Sequence, residues 1–504
     1  MNDFALSLLL LGALSSGNQL PFWMTNNQFG LMPQYNGGLA MVQAGTQYDT
    51  SKDFQWKWGV SLAGNGQRCP EGTADFNLMV DELYGSARWK VFTLDVGMKH
   101  VDTEFWGAGL RTLGSMSSTG GHVAWSGNAR TMPGYLITLD PVPVPLTWKV
   151  LWIRGAFGDY KTLDNRYVQG ALVHRTQLFF LFKLSKRLDF QLGLDHAALW
   201  GGTSPKDGKM PITFDNYFRV ITGRHASAAG THSDQVNVIG DQRGGALYRL
   251  DYRGDTWKLR MQHDVPYDDG SGMAGIQNFP DGVNTIWFGF DDKDRWVSDI
   301  LFEYQYTMKQ SGTYHDRKLT PEEQAQREPS DSWNYYNKVY GGLDNYFNNS
   351  GYRSGWTYFG RTVGDPLIVP RGTHAGTWNP KEIVLGVENN RLKAHHVSIA
   401  GKLFRKMPYK LMLTYSRNFG TYSSPYTGES QIYKKWGTVK ETPLRQVYGA
   451  FVGEIPFAAF SRFGSATTSS ARRQFSLTYG IYADRGQLLP DAFGASLGLR
   501  WDLR

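Results

Sequence analysis

The chain has 504 residues, a formal net charge of +8 and one cysteine, Cys69. A lone cysteine excludes a disulfide framework and any multi-thiolate metal centre, and the scattered Lys and Arg lack the basic stripes that mark a nucleic-acid partner. No apolar run reaches the length of about eighteen residues that a membrane-crossing helix needs, while 58 glycines and an aromatic content of 14% favour turns and strands, so the composition predicts an all-β protein.

In chain order, the first apolar stretch is FALSLLLLGAL, residues 4–14. It has the length of a signal-peptide core, but Met1, Asn2 and Asp3 before it carry an acid and no base. The expectation is a first strand, with an export signal missing from this sequence. In FQWKWGVSL, Phe54, Trp56, Trp58, Val60 and Leu62 point one way, and Gln55, Lys57, Gly59 and Ser61 the other. Hairpins with short turns follow: LFFLFKL to FQLGLDHAALW across SKRLD, ALYRLDY to WKLRMQHD across RGDT, and HHVSIAGKLF to YKLMLTYSRN across RKMP. RQFSLTYGIYA pairs with the last strand, where Phe493, Ala495, Leu497, Leu499, Trp501 and Leu503 alternate with polar or small residues. Longer polar segments lie between the hairpins, at 311–336 and 368–380.

A soluble β-sandwich also alternates, so the contents of the two faces must decide. Aromatics such as Phe54, Trp56, Trp89, Phe92, Tyr409 and Trp501 cluster toward strand ends, as a girdle at a bilayer interface requires. The polar face carries Lys57, Asp95, Asp195, Arg249, Asp251, Arg260 and Arg500, charges that a dry sandwich core does not accept unpaired. The pattern therefore predicts a transmembrane antiparallel up-and-down β-barrel of about 16 to 20 strands, with about 18 the expected number. Residues 1–504 are expected to form a single domain in the bacterial outer membrane, its outer face against lipid, its lumen occluded and its long loops extracellular.

The interstrand segments resemble the Wzi-type capsule assembly family in its Bacteroidetes-like form. The likeness runs from about residue 12 to the last strand and rests on nine blocks in order: SSGNQLPFWMTNNQFGL, FWGAG, WSGNARTMPGY, DHAALWGG, YDDGSGM, EYQYTMKQSGTYHD, GGLDNYFNNSGYRSGWTYFGRTVGDPL, NNRLKAHH and LTYSRNFGTY. The resemblance implies an outer-membrane lectin that binds capsular or exopolysaccharide and helps to hold or organise it at the cell surface, alongside other surface-polysaccharide machinery. The alternative is a porin-like channel for saccharides or other small solutes.

Sugars offer hydroxyls, which pair with amides and carboxylates, and C–H faces, which lie against aromatic rings. The run DNYFNNSGYRSGWTYFGR supplies both. Asp344, Asn345, Asn348 and Asn349 are candidate hydroxyl partners, Tyr346, Tyr352 and Trp356 candidate stacking platforms, and Arg353 or Arg361 a candidate partner for acidic sugars. The same residues also suit a tight loop scaffold in which Asn and Gly bond the backbone and adopt left-handed conformations. Trp106, with Phe22 and Trp23, stacks on sugar or plugs the lumen. His315 ends a strand with hydrogen-bonding neighbours suited to glycan or to the lumen wall.

No cofactor, metal or catalysis is expected. His395 and His396 adjoin in one strand and face opposite sides, so they do not share a ligand. Asp268 and Asp269 before Gly270 make an acid turn more readily than a calcium loop. WSGNAR lacks a nucleophile elbow and a paired base.

Overall fold

The computed structural model describes residues 4–17, 19–100, 115–120, 122–224, 226, 238–268, 278–311, 317–318, 320–322, 338–339, 344–371, 386–427, 441–457 and 473–503. Its strands run, in chain order, β1 Phe4–Ser15, β2 Gly37–Thr46, β3 Phe54–Arg68, β4 Ala74–Trp89, β5 Phe92–Met98, β6 Gly134–Pro143, β7 Leu151–Lys161, β8 Leu172–Lys183 and β9 Leu188–Trp200. They continue as β10 Asp241–Arg253, β11 Trp257–Asp268, β12 Gly282–Phe290, β13 Asp299–Tyr306, β14 Leu392–Leu403, β15 Met407–Asn418, β16 Leu444–Pro456, β17 Arg473–Gly486 and β18 Ala492–Leu503. Each pairs antiparallel with its neighbours in sequence, giving one 18-stranded sheet. The first apolar stretch is indeed a strand: β1 pairs with β2 from Phe4↔Thr46 and with β18 from Leu6↔Leu503, which closes the barrel and leaves the sheet without an edge.

The alternation read from the sequence sets the two faces. Phe54, Trp56 and Leu62 of β3 and Phe493, Leu497 and Leu499 of β18 are exposed on the outside, whereas Ser61, Asn65, Ser496 and Asp502 are buried within. Outward apolar side chains recur around the sheet, including Leu10, Leu78, Val96, Ile286, Leu413 and Ile481. A closed barrel with such a belt satisfies every strand hydrogen bond internally while showing hydrocarbon to its surroundings, the requirement for crossing a bilayer with strands. The protein is a bacterial outer-membrane barrel.

Charges on the inner face meet partners across strands. Arg175 bridges Asp195 at 2.7 Å, Arg260 bridges Asp251 at 2.6 Å, and Arg500 lies 3.0 Å from Asp502. Most connections on the side of the chain termini are short, as at 90–91, 184–187, 254–256 and 404–406. Those on the opposite side are long, as at 16–36, 99–133, 201–240 and 307–391, which makes that end extracellular.

The long connections turn inward. Residues 16–36 dip into the lumen with a single helical turn, α1 Phe22–Thr25. Pro21 precedes it, the Phe22 N–H donates to Asp484 at 2.7 Å, the Phe22 ring stacks on Tyr448 at 4.2 Å, and Trp23 Nε1 donates to Thr414 at 3.2 Å. Residues 115–133 and 344–371 pack beside it, so that Val123, Met132, Tyr346, Phe347, Trp356 and Ile368 join Phe22, Trp23 and Met24 in one buried cluster. The hydrophobic core of this barrel lies inside it, where these segments pack together.

Candidate functional site

Where these segments meet the extracellular rim they leave a cavity of about 590 Å³, within the range of roughly 300 to 1,000 Å³ common for small-molecule sites. The inward loop 19–36 contributes Gln19, Asn26, Gly30 and Tyr35, the ends of β3 and β4 contribute Asn65, Gln67 and Asn77, and the inner segments add Arg130, Phe359 and Arg361. Leu489 and Asp491 from the turn between β17 and β18 complete the wall.

The amides hold the wall in shape. Gln67 Oε1 accepts from the N–H groups of Gln34 at 2.9 Å and Tyr35 at 3.0 Å, and Asn65 Nδ2 donates to Leu31 O at 2.7 Å. Asn26 Nδ2 donates to Phe22 O at 3.0 Å, while its Oδ1 accepts from Arg361 Nη1 at 3.1 Å. Two acids also line the cavity. Asp484 accepts from the Phe22 N–H, and Asp491 accepts from the Gly486 N–H at 2.9 Å.

Burial pushes the Arg361 guanidinium down to about 10, and the neighbouring charge of Arg130 pushes the same way. Burial likewise lowers Arg130, whose guanidinium lies 4.4 Å from the Phe359 ring centroid. Both effects disfavour a bare cation, so an anion entering the cavity relieves them.

The candidates within residues 344–361 divide sharply. Tyr346, Tyr352 and Trp356 are buried, with 0%, 4% and 1% of their surface exposed. Tyr346 donates to Asp281 at 2.9 Å, Tyr352 to Gly201 O at 3.1 Å, and Trp356 Nε1 to Ala124 O at 2.6 Å. Their rings pack the interior and offer no face to a sugar in this structure. Asp344 accepts from Ser311 Oγ at 2.7 Å; Asn345 Oδ1 accepts from the side-chain amides of Asn348 and Asn390. Asn348 exchanges bonds with the Val387 backbone at 2.9 and 2.8 Å, and Asn349 Oδ1 accepts from the Gly351 and Tyr352 N–H groups at 2.8 and 3.0 Å. These partners fit the loop-scaffold reading. The left-handed positions of the run include Phe347 and Phe359, at φ 67° and 47°, and not the asparagines. Tertiary packing of their rings outweighs local preference there.

Arg353 is half-buried, with its guanidinium 4.9 Å from the Tyr167 ring centroid, away from the cavity wall. Among the described candidates, Arg361 lines the cavity, as does Phe22. Trp106 and His315 lie outside the described residues, as does Asp269. Asp268 is ion-paired to Arg243 at 2.7 Å, which occupies one oxygen of the proposed acid turn. His396 is buried and His395 exposed, as strand alternation requires. Asp81, Glu82 and His100 converge, but His100 Nε2 already bonds Asp81 at 2.6 Å and the His100 N–H donates to Glu82 at 2.8 Å.

The residue that sequence reasoning missed is Arg130. It lies in WSGNARTMPGY, where Ser126 donates to Gly364 O at 2.7 Å and Asn128 to Thr362 Oγ1 at 3.0 Å, pinning the segment to the chain that carries Arg361. Only the fold brings these two distant arginines together.

The class defined by these features is an outer-membrane barrel with an inwardly folded plug and a polar, arginine-bearing cavity beneath its long loops. No family model and no curated protein matches the chain. Among solved structures it is similar to Wzi of Escherichia coli, described as an outer membrane protein involved in group 1 capsule assembly and a carbohydrate-binding β-barrel. The two share 13% identity over 98% of this chain and 83% of that one, with a TM-score of 0.49. It is also similar to two Pseudomonas aeruginosa outer-membrane proteins: OpdK, at 10% identity over 99% of each chain and a TM-score of 0.44, and OccK5, at 9% identity over 99% of this chain and 98% of that one and a TM-score of 0.43.

Proposed function

We propose that this protein is a non-catalytic surface lectin of the outer membrane that binds capsular or exopolysaccharide and assists its assembly or attachment. The observation that carries the reading is the cavity of about 590 Å³ at the extracellular end, walled by amides, aromatic rings and arginines above inwardly packed segments. Amides match sugar hydroxyls, and rings such as those of Tyr35 and Phe359 match C–H faces. The sequence blocks that resemble the Wzi-type family support the same reading, because 15–31, 125–135 and the described part of 341–367 are the segments that build the plug and the cavity wall.

A catalytic reading needs a carboxylate pair free to meet substrate, and several buried acids near the plug have structural partners. Glu303 accepts from Ser117, Ser118 and Thr285, Asp264 accepts from the Val123 N–H at 2.9 Å, and Asp195 is paired with Arg175. Each sugar contact displaces water of similar strength, so affinity for a single repeat is weak, and a long polymer meeting many barrels gains by avidity. The test is retention of purified, detergent-solubilised protein on an array of capsular and exopolysaccharides. Binding to at least one polymer is expected; an array that retains none would defeat the reading.

A further inference from the structure

Resting on that saccharide reading, we infer that Arg130 and Arg361 form an anion clamp, and that the cavity takes a sugar residue bearing a carboxylate, such as a uronic acid or a pyruvylated unit. The two arginines approach from different segments and straddle Gly30. A Cβ placed on Gly30 would lie 3.3 Å from Arg130 Cγ and 3.6 Å from Arg361 Cδ, so the side chains run past a common point. Gly30 has φ +62°, a conformation that favours a residue without a side chain. The absence of a Cβ keeps this point between the two stems clear.

Neither arginine has a carboxylate partner among the described residues. Arg361 donates to the neutral Asn26 amide, and Arg130 Nε is buried without an acceptor. The acid that acts on Arg130 electrostatically is Asp81, and it is already engaged by His100 at 2.6 Å and by Ser61 Oγ at 2.8 Å. The acids that line the cavity, Asp484 and Asp491, are held by the backbone N–H groups of Phe22 and Gly486.

Three buried arginines elsewhere in the lumen are neutralised: Arg175 by Asp195, Arg243 by Asp241 and Asp268, Arg391 by Glu441. Two neighbouring cations without such partners among the described residues, opening into a cavity, suit a ligand that brings a counter-charge. A guanidinium fork matches the two oxygens of a carboxylate. The Phe359 ring under Arg130 and the amides of Asn26 and Asn77 are placed for the ring and hydroxyls of the same sugar.

The ligand's carboxylate belongs either to a polymer or to a free sugar acid, and the test separates the two. Full-length protein in detergent is titrated calorimetrically with a short oligogalacturonide, with its carboxyl-reduced neutral counterpart, and with free galacturonate. The clamp predicts that the acidic oligomer binds about 10- to 100-fold more tightly than the neutral one, the worth of one charge-assisted contact. Arg130→Gln or Arg361→Gln removes that preference, so that within each variant the acidic and neutral oligomers bind alike, with an unaltered melting temperature as the control for folding. Arg361→Lys, which keeps the charge, retains part of the preference. Equal binding of the two oligomers would overturn the clamp while leaving the saccharide reading intact. Binding of free galacturonate with no gain for the oligomer supports the clamp and counts against a polymer ligand. No binding of any of the three would overturn the clamp.

Discussion

Glu303 on β13 is the point at which the barrel wall holds the plug, and its removal has a calculable result. Its two oxygens accept from the Ser118 N–H, Ser118 Oγ and Ser117 Oγ, each at 2.7 Å, and from Thr285 Oγ1 at 3.1 Å, in a site where Glu303 is 1% exposed. The hydroxyls can turn elsewhere, since Ser117 Oγ also lies 2.9 Å from Thr119 Oγ1. The Ser118 N–H cannot, and a buried donor left alone costs about 1 to 3 kcal/mol. Adding the lost charge-assisted bonds brings Glu303→Ala to about 3 to 5 kcal/mol. Because the strand ladder does not depend on Glu303, the loss falls on the docking of residues 115–119. In hydrogen exchange of the detergent-solubilised protein, protection there should drop by about 10²- to 10⁴-fold, while that of β13 and β14 stays within a few fold. Glu303→Gln retains a carbonyl for the Ser118 N–H and should lose far less. Unchanged exchange at 115–119 in the alanine variant would refute the anchoring role, and loss of protection around the whole barrel would refute its local nature.

Other perturbations test other parts of the account. Burial pushes the Asp365 carboxyl up to about 7 from 3.8, so the folded state holds a proton that the unfolded chain releases, and its stability falls as pH rises through that interval and levels off above it. Melting temperature against pH should show this fall, and Asp365→Asn should make it shallower, part of the fall remaining because burial also raises Asp281, to about 6; parallel curves would show that Asp365 does not titrate there. Leu10, on the outer face midway along β1 and 60% exposed, should cost about 2 to 4 kcal/mol of folding stability in lipid vesicles when changed to Arg, whereas no penalty would mean that this face does not meet hydrocarbon. Trp356→Ala should destabilise by about 3 to 5 kcal/mol in denaturant titrations through the cavity it leaves, and a change under 1 kcal/mol would mean that the ring is not a packing centre. Gly364→Ala would set a Cβ 1.9 Å from Val123 O and should separate the 115–133 and 344–371 segments, seen as new protease cleavage within them; continued resistance would show that their contact is not tight.

The barrel was legible in the sequence because strand alternation is a local property. FQWKWGVSL faces as its period demands, and the hairpin across RGDT places Leu250 opposite Met261 and Tyr252 opposite Leu259. The inward placing of Asp195, Asp251, Arg260 and Arg500 was legible from the same alternation, whereas their ion pairs were not. The filling of the lumen was only partly legible. Phe22 and Trp23 could be read as plug or as sugar platform, and only their contacts with Tyr448 and Thr414 place them as plug. The dense amides of residues 344–361 carried the same ambiguity, since an Asn that bonds its own loop and an Asn that bonds a hydroxyl look alike in sequence. The Arg130 and Arg361 pair was beyond reach, because no period or spacing links a residue read for nucleophile chemistry with a loop arginine more than two hundred positions away.

The central claim is that this barrel holds saccharide at the surface over a closed lumen and does not conduct it. Single-channel recording of the purified protein in planar bilayers, before and after addition of an acidic oligosaccharide, tests it directly. A silent barrel under both conditions, from a preparation that binds the oligosaccharide in solution, is the predicted result. Sustained ohmic steps that the oligosaccharide interrupts as it passes would contradict it and make the protein a channel.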